Sequence, residues 1–194
     1  MASPSKINFK VYQGSTFNEV LRWESSTKVY KAISGISQSA PVVIQVPGHG
    51  IPVGWRAKVT NVSGMKEINM SDYEVVSAVT NDSITFNNIN ALGYTAYTSG
   101  GVVEYNQPNS LAGMTARMQI REKQSSTSVI KELTTENGGI SINDTNKTIT
   151  ILISATDTAA FTFKTAVYSM ELINGATVTP FIFGDLTLVT EITR

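Results

Sequence analysis

MTARMQIR, residues 114–121, alternates without interruption: Met114, Ala116, Met118 and Ile120 fall on one side, Thr115, Arg117, Gln119 and Arg121 on the other. Successive side chains of an extended chain point to opposite faces, so this period of two predicts a strand with one dry face and one wet face. Similar runs, rich in Val, Ile, Thr, Phe and Tyr, recur along the 194 residues with turn residues between them. That is the pattern of an all-β chain. Strands are expected near 6–12, 17–23, 27–33, 41–46, 55–62, 73–80, 83–88 and 100–106. More are expected near 114–122, 128–134, 139–143, 148–154, 166–173 and 178–191.

The turns have a chemistry of their own. Asn81-Asp82, Asn143-Asp144, Asn137-Gly138-Gly139 and Asn174-Gly175 stand between runs, and these residues tolerate the left-handed backbone of tight hairpins. One short helix is expected over 155–161. Ser154-Ala155-Thr156-Asp157 matches the capping box, in which two side chains satisfy free backbone donors at a helix start.

Composition excludes several functions. Fifteen Lys and Arg balance fifteen Asp and Glu, and the cations are scattered singly, so nucleic acid is not an expected partner. Charged residues make up 15%, against roughly 25% in an average soluble chain. A charge-poor surface suits a protein covered by partners, and equally an ordinary polar β-protein. Cysteine is absent, which excludes disulfides and thiolate chemistry. MASPSKINFK at the start lacks the apolar core of a signal peptide. No apolar run approaches the ~20 residues of a membrane span. A soluble chain, made and kept in a cytoplasm until assembly, is expected.

The style of the sequence changes twice. From about 36 to 107 the strands are short and Gly-punctuated, with their own aromatics Trp55, Tyr73, Phe86, Tyr94 and Tyr97. Ser, Gly, Asn and Pro cluster at both flanks, as they do at domain boundaries. The expected organisation is a discontinuous β-sandwich-like domain, 1–35 with 108–194, carrying an inserted small β-barrel, 36–107. The alternative is one continuous β-protein.

Two blocks carry a resemblance. HGIPVGWRAKVTNVSGMKEIN, YEVVSAVTNDSITF and YTAYTSGGVV resemble a module frequent in bacteriophage tail and virion proteins. That module is similar to the small FCCH-type β-barrel of ubiquitin-activating enzymes, a likeness of fold that implies no ubiquitin chemistry. Trp55 stands where the module usually has an acidic residue. LAGMTARMQIREK, LTTENGGISIND, ITILISATDTAAF, AVYSMELI and GDLTLVTEITR, with INFKVYQGSTFNEVLRW at the start, resemble small phage structural β-domains similar to the N-terminal domain of baseplate upper proteins. The resemblance implies a structural virion protein of the tail or baseplate. Its partners would be other virion proteins of tail, baseplate and fibre, its assembly a homo-oligomeric ring, and its place the virion, assembled in the host cytoplasm. A carbohydrate-binding module reading a host glycan is the alternative.

Candidate sites are few. His49 is the only histidine. Catalysis there would need a nucleophile and an orienting carboxylate, and a metal would need more ligands. Pro47-Gly48-His49-Gly50 has the residues of a tight bend, with the ring bonding a nearby carbonyl. Glu19, Glu24, Asp72, Glu74, Glu104, Glu171, Asp185 and Glu191 are possible members of a catalytic carboxylate pair, but solvated strand-edge charge is the plainer expectation. Asp144-Thr145-Asn146 begins like a calcium loop, yet Ile149 and Ala155 stand where the loop needs Gly and Glu. Gly138-Gly139 lacks the Lys and helix of a phosphate cradle. No catalytic residue, cofactor or metal site is expected, and no membrane partner. Trp23, alternating with Leu21, is read as core of the larger domain. Trp55 is read as an exposed interface residue or as a barrel-mouth residue packed on its own loop. The expected partner contacts are Trp55, Tyr94, Tyr97 and the C-terminal strand through Arg194, since exposed aromatics anchor interfaces and a terminal strand can add to a neighbouring sheet.

Overall fold

The structure is a computed structural model that describes residues 4–192. It is all-β, with one short helix, and its strands lie in four sheets. The chain divides into two compact units. The first holds the stretches up to Arg22, Leu111–Asp144 and from Thr148 onward; the second holds Trp23–Ser110 with Thr145–Lys147. Glu24–Ala32 pairs with Ser99–Pro108, so this strand belongs to the second unit and not with residues 1–22, where the sequence reading put it.

In the first unit the predicted strand at 114–121 forms as Thr115–Arg121, with Ala116, Met118 and Ile120 buried. It lies between Lys131–Thr134 and Thr165–Asn174, and the last of these pairs with Thr177–Val189. Ser5–Lys6 and Phe9–Tyr12 then pair in parallel with successive parts of Thr177–Val189. A second sheet has three strands, Ile140–Asn143, Thr148–Ile153 and Phe17–Leu21. The two sheets share a core, in which Phe9 of the large sheet meets Phe17 of the small one at 5.4 Å between ring centres.

Two breaks in this unit have local causes. Thr177–Val189 carries a bulge where its register shifts between Glu171↔Pro180 and Met170↔Ile182. The bulge accommodates a proline that has no N–H to give. It also lets the adjacent Phe181 and Ile182 both be buried. The helix spans only Ala155–Ala159. Ser154 Oγ caps it by accepting the Asp157 N–H at 3.1 Å, as the capping box predicts.

In the second unit the expected small barrel is corrected. Its strands form two four-stranded sheets, and no continuous ladder closes. One sheet runs Glu24–Ala32, Ser99–Pro108, Arg56–Ser63, Glu74–Val75. The other runs Gly35–Ile36, Val42–Gln45, Ser83–Phe86, Ala78–Val79. The reason lies at two corners, where consecutive amides turn to different sheets. The Ile33 N–H donates to Gly101 and the Ser34 N–H to Gln45. The Val76 N–H donates to Trp55 and the Ser77 N–H to Thr85. Each corner moves the chain from one sheet to the other and interrupts the ladder, as in orthogonally packed sheets. Trp55, Phe86, Ile44, Met65, Ile68 and Ile84 fill the space between.

Candidate functional site

His49 is 3% exposed. Gly48 and Gly50 on either side have φ of 58° and 66°, a left-handed backbone that glycine adopts without steric cost. Nδ1 accepts the Ile51 N–H at 2.8 Å, and Nε2 lies 2.8 Å from the Thr80 carbonyl. A backbone donor on one nitrogen and an acceptor on the other fix the neutral ring with its proton on Nε2. The Tyr105 hydroxyl donates to the His49 carbonyl. The ring therefore ties the bend to the Asn81-Asp82 hairpin, whose Asp82 also accepts the Gly48 N–H at 3.0 Å. Both nitrogens are occupied by the backbone.

The expected contact residues separate. Trp55 is 0% exposed, and its Nε1–H donates to the Asn106 carbonyl at 2.8 Å. An interface role for Trp55 is thereby overturned: the ring lies inside the core. Tyr94 and Tyr97 are half-buried against that core. The Tyr97 hydroxyl lies 3.2 Å from the Ile33 carbonyl and 3.0 Å from that of Gly100, close to the first corner. Arg194 lies outside the described residues.

One polar group was missed by sequence reasoning. On the outer face of the first sheet of this unit, the Lys28 ammonium donates to the Tyr73 hydroxyl, which donates to Glu104. Lys28 also lies 3.2 Å from Glu104 and 4.3 Å from the Tyr73 ring centre. The Tyr73 hydroxyl and the Lys28 ammonium hold the Glu104 carboxyl below the ordinary carboxylate range. Burial and the bond to Glu104 push the Tyr73 phenol up, and the bond to Tyr73 pushes the Lys28 ammonium up. Beside this trio, Arg56 makes paired contacts of 3.0 and 3.1 Å to the Glu24 carboxylate. Lys28, Tyr73 and Glu104 are far apart in sequence, so only the observed strand pairing could have brought them together.

Three of the other candidate carboxylates are held by cations or by an amide. Glu171 pairs with Arg117 at 3.0 Å and Asp185 with Lys6 at 3.3 Å. Glu74 accepts from the Asn88 amide at 2.8 Å. Among the described residues, no three of His, Cys, Asp and Glu gather as metal ligands would. Asp144 accepts the Leu111 N–H at 2.6 Å, a contact that fastens its hairpin.

No protein-family model and no curated protein matches the chain.

Proposed function

We propose that this chain is a structural component of a bacteriophage virion, an adaptor of the tail or baseplate that links fibres or neighbouring tail proteins. The observation that carries this function is the ordered resemblance of two sequence blocks to virion modules. The observed placement of polar groups supports it: four of the eight candidate carboxylates, Glu24, Glu104, Glu171 and Asp185, are paired with Arg56, Lys28, Arg117 and Lys6. Such framework contacts suit a protein that works by surface complementarity.

The partner surfaces proposed are the half-buried Tyr94 and Tyr97, with Tyr30 beside them in chemistry if not in sequence. Tyr30 is 60% exposed on a strand face and lies directly across from Glu104. Glycan binding through Trp55 is not part of the proposal, because an enclosed ring offers no face for a sugar.

A cryo-EM reconstruction of the particle that encodes this chain tests the function. Density for the chain in a symmetric ring between tail and fibres is the expected result. Its absence from the particle would overturn the virion assignment, and its presence only at fibre tips would favour receptor binding.

A further inference from the structure

The chain has two Asn-Gly pairs, Asn137-Gly138 and Asn174-Gly175, and the fold treats them oppositely. We propose that Asn174 is a site of spontaneous deamidation, and that the fold shields Asn137 from the same reaction. The chemistry is general. The backbone nitrogen of the following residue attacks the Asn side-chain carbonyl carbon, Cγ. A new N–Cγ bond forms and the Cγ–Nδ2 bond breaks. The amide proton leaves with the nitrogen as ammonia. Water then opens the resulting five-membered imide at either carbonyl and leaves an aspartyl or an isoaspartyl residue. Glycine in second place offers no side chain to hinder the attack, which is why the Asn-Gly pair is the susceptible one.

Ring closure requires the Asn side chain to swing over the next amide. Asn137 is tied against that movement. Its Oδ1 accepts the Thr134 and Gly139 N–H groups, each at 2.9 Å, and its Nδ2 donates to the Glu132 carbonyl at 3.1 Å. All three contacts would have to be broken or distorted before Cγ could turn. Asn174 closes the hairpin between Thr165–Asn174 and Thr177–Val189, opposite Thr177. It is exposed, and its side chain has no hydrogen bond among the described residues. Gly175 is exposed too, with a φ of 57°, so its amide is open to solvent base. One sequence signal is thus divided by tertiary context into a fast site and a slow one.

The test is peptide mapping by mass spectrometry of the intact folded protein after incubation at mildly alkaline pH. The peptide that holds position 174 should gain one mass unit and split into aspartyl and isoaspartyl forms. Position 137 should convert roughly a hundred times more slowly, the factor that three modest hydrogen bonds provide. Isoelectric focusing should show a more acidic species growing in step. The same incubation in concentrated urea should bring the two rates together, because it is the fold that separates them. Asn174→Gln should slow the growth of the acidic species to the rate of position 137. Equal rates at the two positions in the folded protein, faster conversion at 137, or no conversion at 174 while the unfolded chain reacts would each overturn the proposal.

Discussion

His49 shows how one side chain can settle the course of a loop. Replacing it with alanine strips the buried Ile51 amide of its acceptor, and a buried donor left unpaired costs about 1–3 kcal/mol. His49→Ala should therefore lower the unfolding free energy by an amount in that range, read from the shift of the urea midpoint, and an unchanged midpoint would show that water replaces the ring without loss. Nitrogen NMR should find the Nε2–H tautomer alone, since a mixture would mean that the Thr80 contact is made only part of the time. The Lys28–Tyr73–Glu104 group makes a different claim, about pH. Glu104 is held below its ordinary value of 4.5, so its contribution is complete above that value and is lost as the pH falls through the lowered one. Glu104→Gln should cost stability near neutrality, and the gap between variant and parent should close as the pH is taken down below 4.5. A gap of constant width in denaturant midpoints across that range would mean that the carboxylate charge contributes nothing. At the alkaline end the signs reverse, because Lys28 and Tyr73 are both raised. Their contribution holds below their ordinary values and fades as the pH climbs through the raised ones.

At the scale of the element, the N-terminal strands depend on a glycine. A Cβ at Gly184 would stand 1.9 Å from the Ile7 carbonyl oxygen, which is backbone and cannot give way like a long side chain. Gly184→Ala should push the segment around Ile7 off Thr177–Val189, at a cost of about 1–3 kcal/mol as for other overpacked contacts. Hydrogen exchange should then quicken at the Ile7 amide, which donates to Phe183 at 2.9 Å. Unchanged exchange there would show that the strand pair has slack. The same close approach explains what the sequence could and could not disclose. Alternation marks a strand by its own residues, so Thr115–Arg121 was legible with Ala116, Met118 and Ile120 on its buried face, while Met114 is half-buried just before it. Alternation is silent about where a strand changes partners. Residues 73–80 read as one run, but the chain turns between sheets at Val76 and Ser77 and leaves two short strands, Glu74–Val75 and Ala78–Val79. Residues 6–12 likewise divide at Ile7 and Asn8, next to Gly184. Trp55 was misplaced for a related reason. Its burial is set by Asn106, which lies across the sheet and 51 residues on, and by a core assembled from both sheets. The bend at His49 was legible because its glycines and the Nδ1 contact with Ile51 are local, whereas the Nε2 contact with Thr80, 31 residues on, was not. The Lys28–Tyr73–Glu104 group was not, since each member alone reads as ordinary surface.

For the molecule as a whole, the second unit has a core of its own. Its buried side chains, from Ile33 to Tyr105, form one cluster made entirely of residues within Trp23–Ser110. Separate cores permit separate cooperative unfolding, and Trp55 is the largest side chain with which to test it. Trp55→Ala should destabilise its own unit by about 3–5 kcal/mol, the usual cost of emptying a large aromatic site. Amides of Val42–Gln45 and Ser83–Phe86 should lose protection from hydrogen exchange, while those of Thr115–Arg121 and Thr165–Asn174 keep theirs. Loss of protection in both sets together would mean that the two cores melt as one. The distinction bears on the proposed adaptor role. If the inserted unit melts alone, a variant weakened at Trp55 should still be incorporated into particles through the other unit. It should then fail only in the contacts that the inserted unit makes. Incorporation and fibre attachment, scored on the same Trp55→Ala particles, would assign each unit its side of the joint. Loss of both together would instead make the chain a single attachment surface.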